Sequence, residues 1–465
     1  MSHTAALGHT EHTERRPAAI RDSLVVPLLG FTVILVIMNT MMFNLALPQV
    51  TTDFGLTSST ASWIITGYSV VFAISSITYS RLSDFVPIRR LLAIGLLTLG
   101  GASIIGFFSH NYLLLLLARL VQATGAGSVV SLSFVLIARF IPLDRRGKAM
   151  AIISSSVSLG LGLGPVVGGA ITQYLGWNDL FLVTGISLLF VPVLLRLLPK
   201  EEVNKGHFDL LGAMLIGIGS TGLLLGMTNH LWAAFVIGVL ALILFWLRIN
   251  RAPMPFVQPA LFRNTLYIRL ITLGIIGYIS SFATLFLLPQ LLIRHFGLTT
   301  GHAGFIIFPG ALVAVFAANP IGKMIDRYGS APLLKYAPWL LLAASTLFAL
   351  FTGVSASIIL SVYIVMSIGY SALNASVSNE LSRILPVQHV GAGLGLFQLL
   401  QFISGAFSVA ISGMALASQS AQPLDRAFSH IFMGMAVLGL LALTASWLYR
   451  SALRKQSVQR QEQAA

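Results

Sequence analysis

The chain has 465 residues, of which 56% are hydrophobic and 9% charged, with a mean hydropathy of +0.88. A soluble domain carries roughly 25% charged residues, so a chain this poor in charge lacks the polar groups to cover a globular surface and must be solvated largely by lipid. Its net charge of +14 sits in short clusters between apolar runs and not on a basic stripe, which excludes nucleic acid as a partner, and the lack of cysteine excludes disulfides and thiolate metal sites.

In chain order, residues 1–22 read as a polar tail without the apolar core or small-residue cleavage site of a secretory signal. His3, His9 and His12 in that tail are a chance cluster or a metal-binding one, and the other histidines show no ligand spacing, so no metal or other cofactor is expected. A membrane-crossing helix needs about 20 apolar residues. Fourteen runs qualify, here called spans 1 to 14, beginning near Leu24, Ala61, Leu91, Leu113, Ala149, Leu180, Leu210, Trp232, Tyr267, His302, Leu333, Ala356, Gly391 and Ser429. The expected organisation is a tail (1–22), a six-helix half (23–200), an inserted helix pair with its loop (201–265), a second six-helix half (266–450) and a tail (451–465).

Lys and Arg set the orientation. One set of loops holds Arg15, Arg16, Arg21, Arg81, Arg89, Arg90, Arg139, Arg145, Arg146 and Lys148, and continues through Arg196, Arg248, Arg251, Lys323, Arg327 and Arg383 to the C-terminal tail. The opposite set holds Arg294 and Arg426. This asymmetry predicts a multi-pass protein of a bacterial inner membrane with both termini cytoplasmic.

The two halves repeat. Leu47-Pro48-Gln49 returns as Leu288-Pro289-Gln290, Phe54-Gly55-Leu56-Thr57 as Phe296-Gly297-Leu298-Thr299, Asp84 as Asp326, and Arg139, Pro142 and Gly147 as Arg383, Pro386 and Gly391. Four matches in order pair spans 1–6 with spans 9–14 in the same orientation and leave spans 7 and 8 as the inserted pair. Parallel six-helix repeats are the architecture of a transporter whose halves rock about a central site.

The loop between spans 2 and 3 reads Ser80-Arg81-Leu82-Ser83-Asp84-Phe85-Val86-Pro87-Ile88-Arg89-Arg90, and its counterpart reads Gly322-Lys323-Met324-Ile325-Asp326-Arg327-Tyr328-Gly329. Either is an ordinary charged turn, or a latch in which each carboxylate meets a helix N-terminus and arginines of the other half. In span 4, Arg119 and Gln122 stand between a leucine run and a glycine-rich run, where an arginine is costly and functional by default unless it snorkels out. In span 5, Gly160, Gly164 and Gly168 recur every fourth residue, with Pro165 and Gly169 alongside, baring one helix face for a close crossing. No strand precedes this run, so it is not a dinucleotide fingerprint.

These motifs carry a resemblance to the major facilitator superfamily, an all-α integral membrane fold. Asp84 and Asp326 with their neighbours resemble its signature loop, Arg119 and Gln122 its span 4 motif associated with proton coupling, and the span 5 glycines its antiporter motif. Span 1, ending Asn39-Thr40-Met41-Met42-Phe43-Asn44-Leu45-Ala46-Leu47-Pro48, is similar to that of fourteen-span drug:proton antiporters, with Asn39 where Asp is usual. The resemblance to the Gram-positive tetracycline exporters of that branch implies acidic residues at positions that here are Thr40, Leu161 and Gly405.

The function expected is therefore export of drugs or other hydrophobic small molecules by alternating access, driven by protons. Metabolite export or monovalent-cation/proton exchange is the alternative. No constellation of catalytic residues points to an enzyme, and the expected partners are a small-molecule substrate, protons and the bilayer, around a monomer. Asn39, Asn44, Gln122, Gln290, Asn374, Gln398 and Gln401 are the polar candidates for a cavity otherwise furnished by residues such as Met38, Met41, Met42, Phe282, Phe286 and Phe402, the alternative for most of these being a place against lipid or in the packed interior. With Arg119 inside and no carboxylate in the spans, the substrate is expected to be neutral, zwitterionic or anionic.

Overall fold

The structure is a computed structural model, and it describes residues 21–56, 58–199, 201, 208–229, 231–253, 255–419 and 421–464. The histidine-bearing tail lies outside the described residues. Among these residues all regular structure is helical, and fourteen helices are long and apolar enough to cross a membrane.

Spans 1 to 6 are Asp22–Phe43, Trp63–Leu82, Ile88–Phe107, Tyr112–Phe140, Leu143–Tyr174 and Trp177–Leu197. Spans 7 and 8 are Leu210–Met227 and Trp232–Arg251. Spans 9 to 14 are Thr265–Arg294, His302–Tyr328, Ala331–Phe351, Ala356–Ile384, His389–Leu416 and Leu424–Arg454. Because successive spans alternate in direction, the Arg-rich loops gather at one face, here called the basic end.

Packing follows a twofold pattern. Span 1 lies on span 5 as span 9 lies on span 13, span 2 on span 4 as span 10 on span 12, and span 3 on span 4 as span 11 on span 12. Between the halves, span 5 meets spans 10 and 12 while span 13 meets spans 2 and 4. The parallel repeat legible in the sequence is thus a repeat of packing.

Glycine makes the closest crossings possible. A Cβ added to Gly164 would stand 2.3 Å from the Met41 Cβ and 2.9 Å from the Met38 carbonyl, and one added to Gly168 would stand 2.7 Å from the Met42 Cα. Span 5 therefore rests backbone to backbone on span 1. Pro165 lies inside the same helix without ending it. Span 7 covers the seam where span 2 meets span 13, and span 8 packs on span 7 through Gly222 and Gly238.

Candidate transport site

Between the halves lies a partly enclosed cavity of about 400 Å³. The N-terminal half contributes Ile37, Thr40, Met41, Ile65, Ser69, Phe72 and Leu161. The C-terminal half contributes Phe282, Leu285, Phe286, Phe402, Ala406 and Val409. These positions fall at the middle of their helices or nearer the end opposite the basic one. The wall is almost entirely apolar: the hydroxyls of Thr40 and Ser69 donate to Val36 and Ile65 carbonyls of their own helices. Two of the three positions where the tetracycline exporters suggest acids, Thr40 and Leu161, face this space.

Behind the wall of span 1 sits the polar centre of the N-terminal half. Arg119 is fully buried, its guanidinium carbon 3.9 Å from the ring centroids of both Phe43 and Tyr68. Its Nη1 donates to Asn39 Oδ1 at 3.2 Å and to Gln122 Oε1 at 2.6 Å. Gln122 Nε2 donates in turn to Ser103 and Thr184 hydroxyls at 2.8 and 2.9 Å, tying spans 3 and 6 into the cluster. Asn39 Nδ2 donates to the Tyr68 hydroxyl at 3.3 Å, and that hydroxyl also meets the side chain of Thr40. Arg119 is held inside and does not snorkel.

Towards the basic end the cavity is closed in layers. Phe72 meets Phe402 edge-on across the halves at 4.4 Å, with Tyr278 packed on Phe282, Phe402 and Tyr370. Next comes a layer of small hydroxyls and amides bonded across the seam: Ser158 to Ser371 at 2.9 Å, Asn374 to Ser154 at 3.2 Å and Ser76 to Gln398 at 3.1 Å. Gln401 steadies Asn374 at 3.0 Å.

The two acidic loops form the last layer, and, contrary to expectation, among the described residues neither carboxylate pairs with an arginine of the other half: Asp84 finds its arginines in its own half and Asp326 takes backbone N–H groups instead. Asp84 pairs with Arg139 and Arg81, and stands where a Cβ on Gly391 would be 3.0 Å from its Oδ1. Burial pushes the Asp84 carboxyl above the ordinary carboxylate range, and Arg139 and then Arg81 draw it back. Asp326 crosses the seam to the first turns of span 5, accepting from Gly147 N–H at 2.7 Å and Lys148 N–H at 3.1 Å. Gly322 allows that approach, since a Cβ there would lie 2.3 Å from the Lys148 Cα, and Gly329 turns the chain at φ 75°. Arg81 also donates to the Pro255 carbonyl at 3.3 Å, and Arg146 to Ser382 across the seam at 3.2 Å.

Several expected residues stand elsewhere. Arg90, Lys323 and Arg327 are exposed, and among the described residues none of them, nor Arg89, makes an ion pair; Arg327 lies over the Tyr328 ring instead. Of the amides expected at the cavity, Asn39, Gln122, Asn374, Gln398 and Gln401 are buried in the two networks above and do not line it. Gln290 bonds back to the Phe286 carbonyl, and the Asn44 side chain lies outside the described residues. Met41, Phe282, Phe286 and Phe402 do line the cavity, whereas Met38 and Met42 are buried where span 1 packs on span 5. Sequence reasoning missed Phe43, Tyr68 and the serine partners; the run Ser154-Ser155-Ser156 with Ser158, polar inside an apolar span, was the available signal.

Comparison with known proteins agrees with this architecture. The chain is 27% identical over 377 residues to the riboflavin transporter RibZ of Clostridioides difficile, covering 79% of this chain and 82% of that one. It is 28% identical over 383 residues to the multidrug efflux pump LfrA of Mycolicibacterium smegmatis, covering 80% and 75%. Among solved structures it superimposes on the human organic anion transporter MFSD10 with a TM-score of 0.69 at 17% identity, covering 92% and 99% of the two chains. The proton:xylose symporter XylE matches with a TM-score of 0.66 at 14% identity, covering 91% and 94%. The family model for the Major Facilitator Superfamily matches residues 29–409 and 270–464. With two six-helix repeats closing on a central cavity, the chain is a multi-pass membrane transporter and belongs to the Major Facilitator Superfamily.

Proposed function

We propose that this protein is a proton-driven exporter of hydrophobic small molecules that works as a monomer in a bacterial plasma membrane, with its basic end and both termini in the cytoplasm. The observation that carries this reading is the cavity itself. It is apolar, aromatic and flanked by Met41, lies between the repeats, and is shut towards the basic end while its lining lies towards the other. Soft apolar walls with few fixed hydrogen-bonding groups accept varied substrates. The similarity to LfrA, a multidrug efflux pump, points the same way, as do the span 5 glycines shared with antiporters. Metabolite export is the second reading, favoured by the similarity to a riboflavin transporter. Exchange of a small inorganic cation has less support, because such ions need several oxygen ligands and, among the described residues, two hydroxyls, those of Thr40 and Ser69, are the side-chain oxygens on the wall.

The test is a growth-inhibition panel across drug classes in a host stripped of its own pumps, with and without an uncoupler. Expression should raise resistance to several hydrophobic drugs, and the uncoupler should abolish the gain. An unchanged panel, with riboflavin or another single metabolite exported instead, would replace the first reading by the second.

A further inference from the structure

We propose that Arg119 is a permanent positive charge held between the ring faces of Phe43 and Tyr68 in place of a counter-ion, and that it sets the cavity's preference for anionic amphiphiles instead of carrying the coupling proton. The substrate class rests on the cavity being the transport site; the state of the charge does not.

A guanidinium keeps its proton in proteins, so a buried one must be compensated where it stands. Among the described residues no carboxylate pairs with Arg119. Among the described residues, the polar and aromatic groups that meet it are Asn39 and Phe43 of span 1, Tyr68 of span 2 and Gln122 of span 4, with Ser103 of span 3 and Thr184 of span 6 bonded to Gln122. Amides, hydroxyls and a phenol do not exchange protons near neutral pH. What compensates the charge is a pair of ring faces at 3.9 Å on either side, together with two amide oxygens. A desolvated cation over aromatic faces is stabilised by the ring quadrupoles. That arrangement stabilises the charge without neutralising it, and its Nε has no hydrogen-bond partner among the described atoms.

The uncancelled charge lies one layer behind the cavity. Thr40, next in sequence to Asn39 and in contact with the Tyr68 hydroxyl, lines the wall, as does Ser69, next to Tyr68. Low-dielectric walls carry such a field further than water does. No lining residue carries an opposing negative charge. The ligand this fits has an apolar body against Phe282, Phe286 and Phe402 and an anionic group towards Thr40 and Ser69.

The natural lack of cysteine makes the field measurable without any known substrate. Ser69→Cys, in membrane vesicles, is reacted with an anionic and a cationic methanethiosulfonate reagent of similar size, and the ratio of rates is compared with that of a free thiol. The ratio should favour the anionic reagent by roughly tenfold over the free thiol. It should fall several-fold in Asn39→Asp, which places a carboxylate beside the guanidinium, and in Arg119→Gln. A ratio no higher than the free thiol's, a ratio indifferent to both substitutions, or a thiol that neither reagent reaches would overturn the proposal. The reagents report the field whether or not any drug is exported, so failure of the export reading and failure of this one are told apart.

Discussion

Asp326→Asn and Asp84→Asn separate a latch from a pair of charged turns. Asp326 uses both carboxylate oxygens on the N–H groups of Gly147 and Lys148, at 2.7 and 3.1 Å, near the start of span 5. Asparagine retains one acceptor oxygen and loses the charge. Hydrogen bonds to charged groups contribute ~1.5–3 kcal/mol against ~1 kcal/mol for neutral ones. The expected loss is therefore about 1–2 kcal/mol, enough to move the balance between closed and open basic ends by roughly tenfold. Asp84→Asn should shift this balance less, because its pairs with Arg139 and Arg81 lie within one half and only abut span 13; its cost falls mainly on the stability of that half. The assay is labelling of Ser158→Cys, buried at the seam against Ser371, by an impermeant maleimide supplied at the basic end. Labelling should rise about tenfold in the Asp326 variant and by less in the Asp84 variant. Wild-type rates in both would reduce the two motifs to solvated turns.

Three further outcomes follow from the packing and charge. A Cβ on Gly162 would stand 2.2 Å from the Ala311 Cβ across the seam, so Gly162→Leu should wedge spans 5 and 10 apart and cut transport at least tenfold; normal transport would show that the halves do not need this contact. A fusion reporter active only in an oxidising compartment should be silent at the C-terminus, and activity there would reverse the orientation drawn from the basic loops. A quaternary ammonium dye should be exported far less than a neutral or zwitterionic drug, and Arg119→Ala should narrow the gap; strong dye export by the wild type would refute the argument from charge.

The fold was legible because its causes are local. Lipid as solvent demands long apolar runs, and the duplicated half left Leu47-Pro48-Gln49 and Leu288-Pro289-Gln290 at matching places. The place of the two acidic loops at the seam was legible for a similar reason: an acid beside glycines in a loop has few structural uses, and Gly322 and Gly329 are placed by close approach and by a positive φ. The cavity was not. In a membrane helix the face turned to lipid is as apolar as the face turned to the core, so periodicity gives no phase. Asn374, Gln398 and Gln401 were legible as interior amides, but whether each meets substrate or a serine of the other half depends on the facing helix. Phe43 and Tyr68 were illegible for a related reason, since an aromatic residue in an apolar run announces nothing until a buried cation is found between two of them.

The two acidic loops also show how one duplicated segment came to meet the same seam by different chemistry. Asp84 and Asp326 are equivalent, as are Arg139 and Arg383, and Gly147 and Gly391. In the N-terminal half Arg139 is free to pair with Asp84, so the carboxylate stays with its own half and only abuts Gly391. In the C-terminal half Arg383 pairs with Glu380, which also accepts from Tyr449. Asp326 is left to satisfy itself on the N–H groups of Gly147 and Lys148, in the other half. The bonds that Asp326 makes must therefore break when the halves part, whereas the Asp84 pairs can persist within one half and lose only their contact with span 13. Glu380→Gln bears on this division, because it frees Arg383 for Asp326. It should weaken the grip of Asp326 on span 5 and raise basic-end labelling of Ser158→Cys, and the rise should vanish when Arg383→Gln is added. A rise that survived in the double variant would place the effect of Glu380 on Tyr449 and span 14 instead.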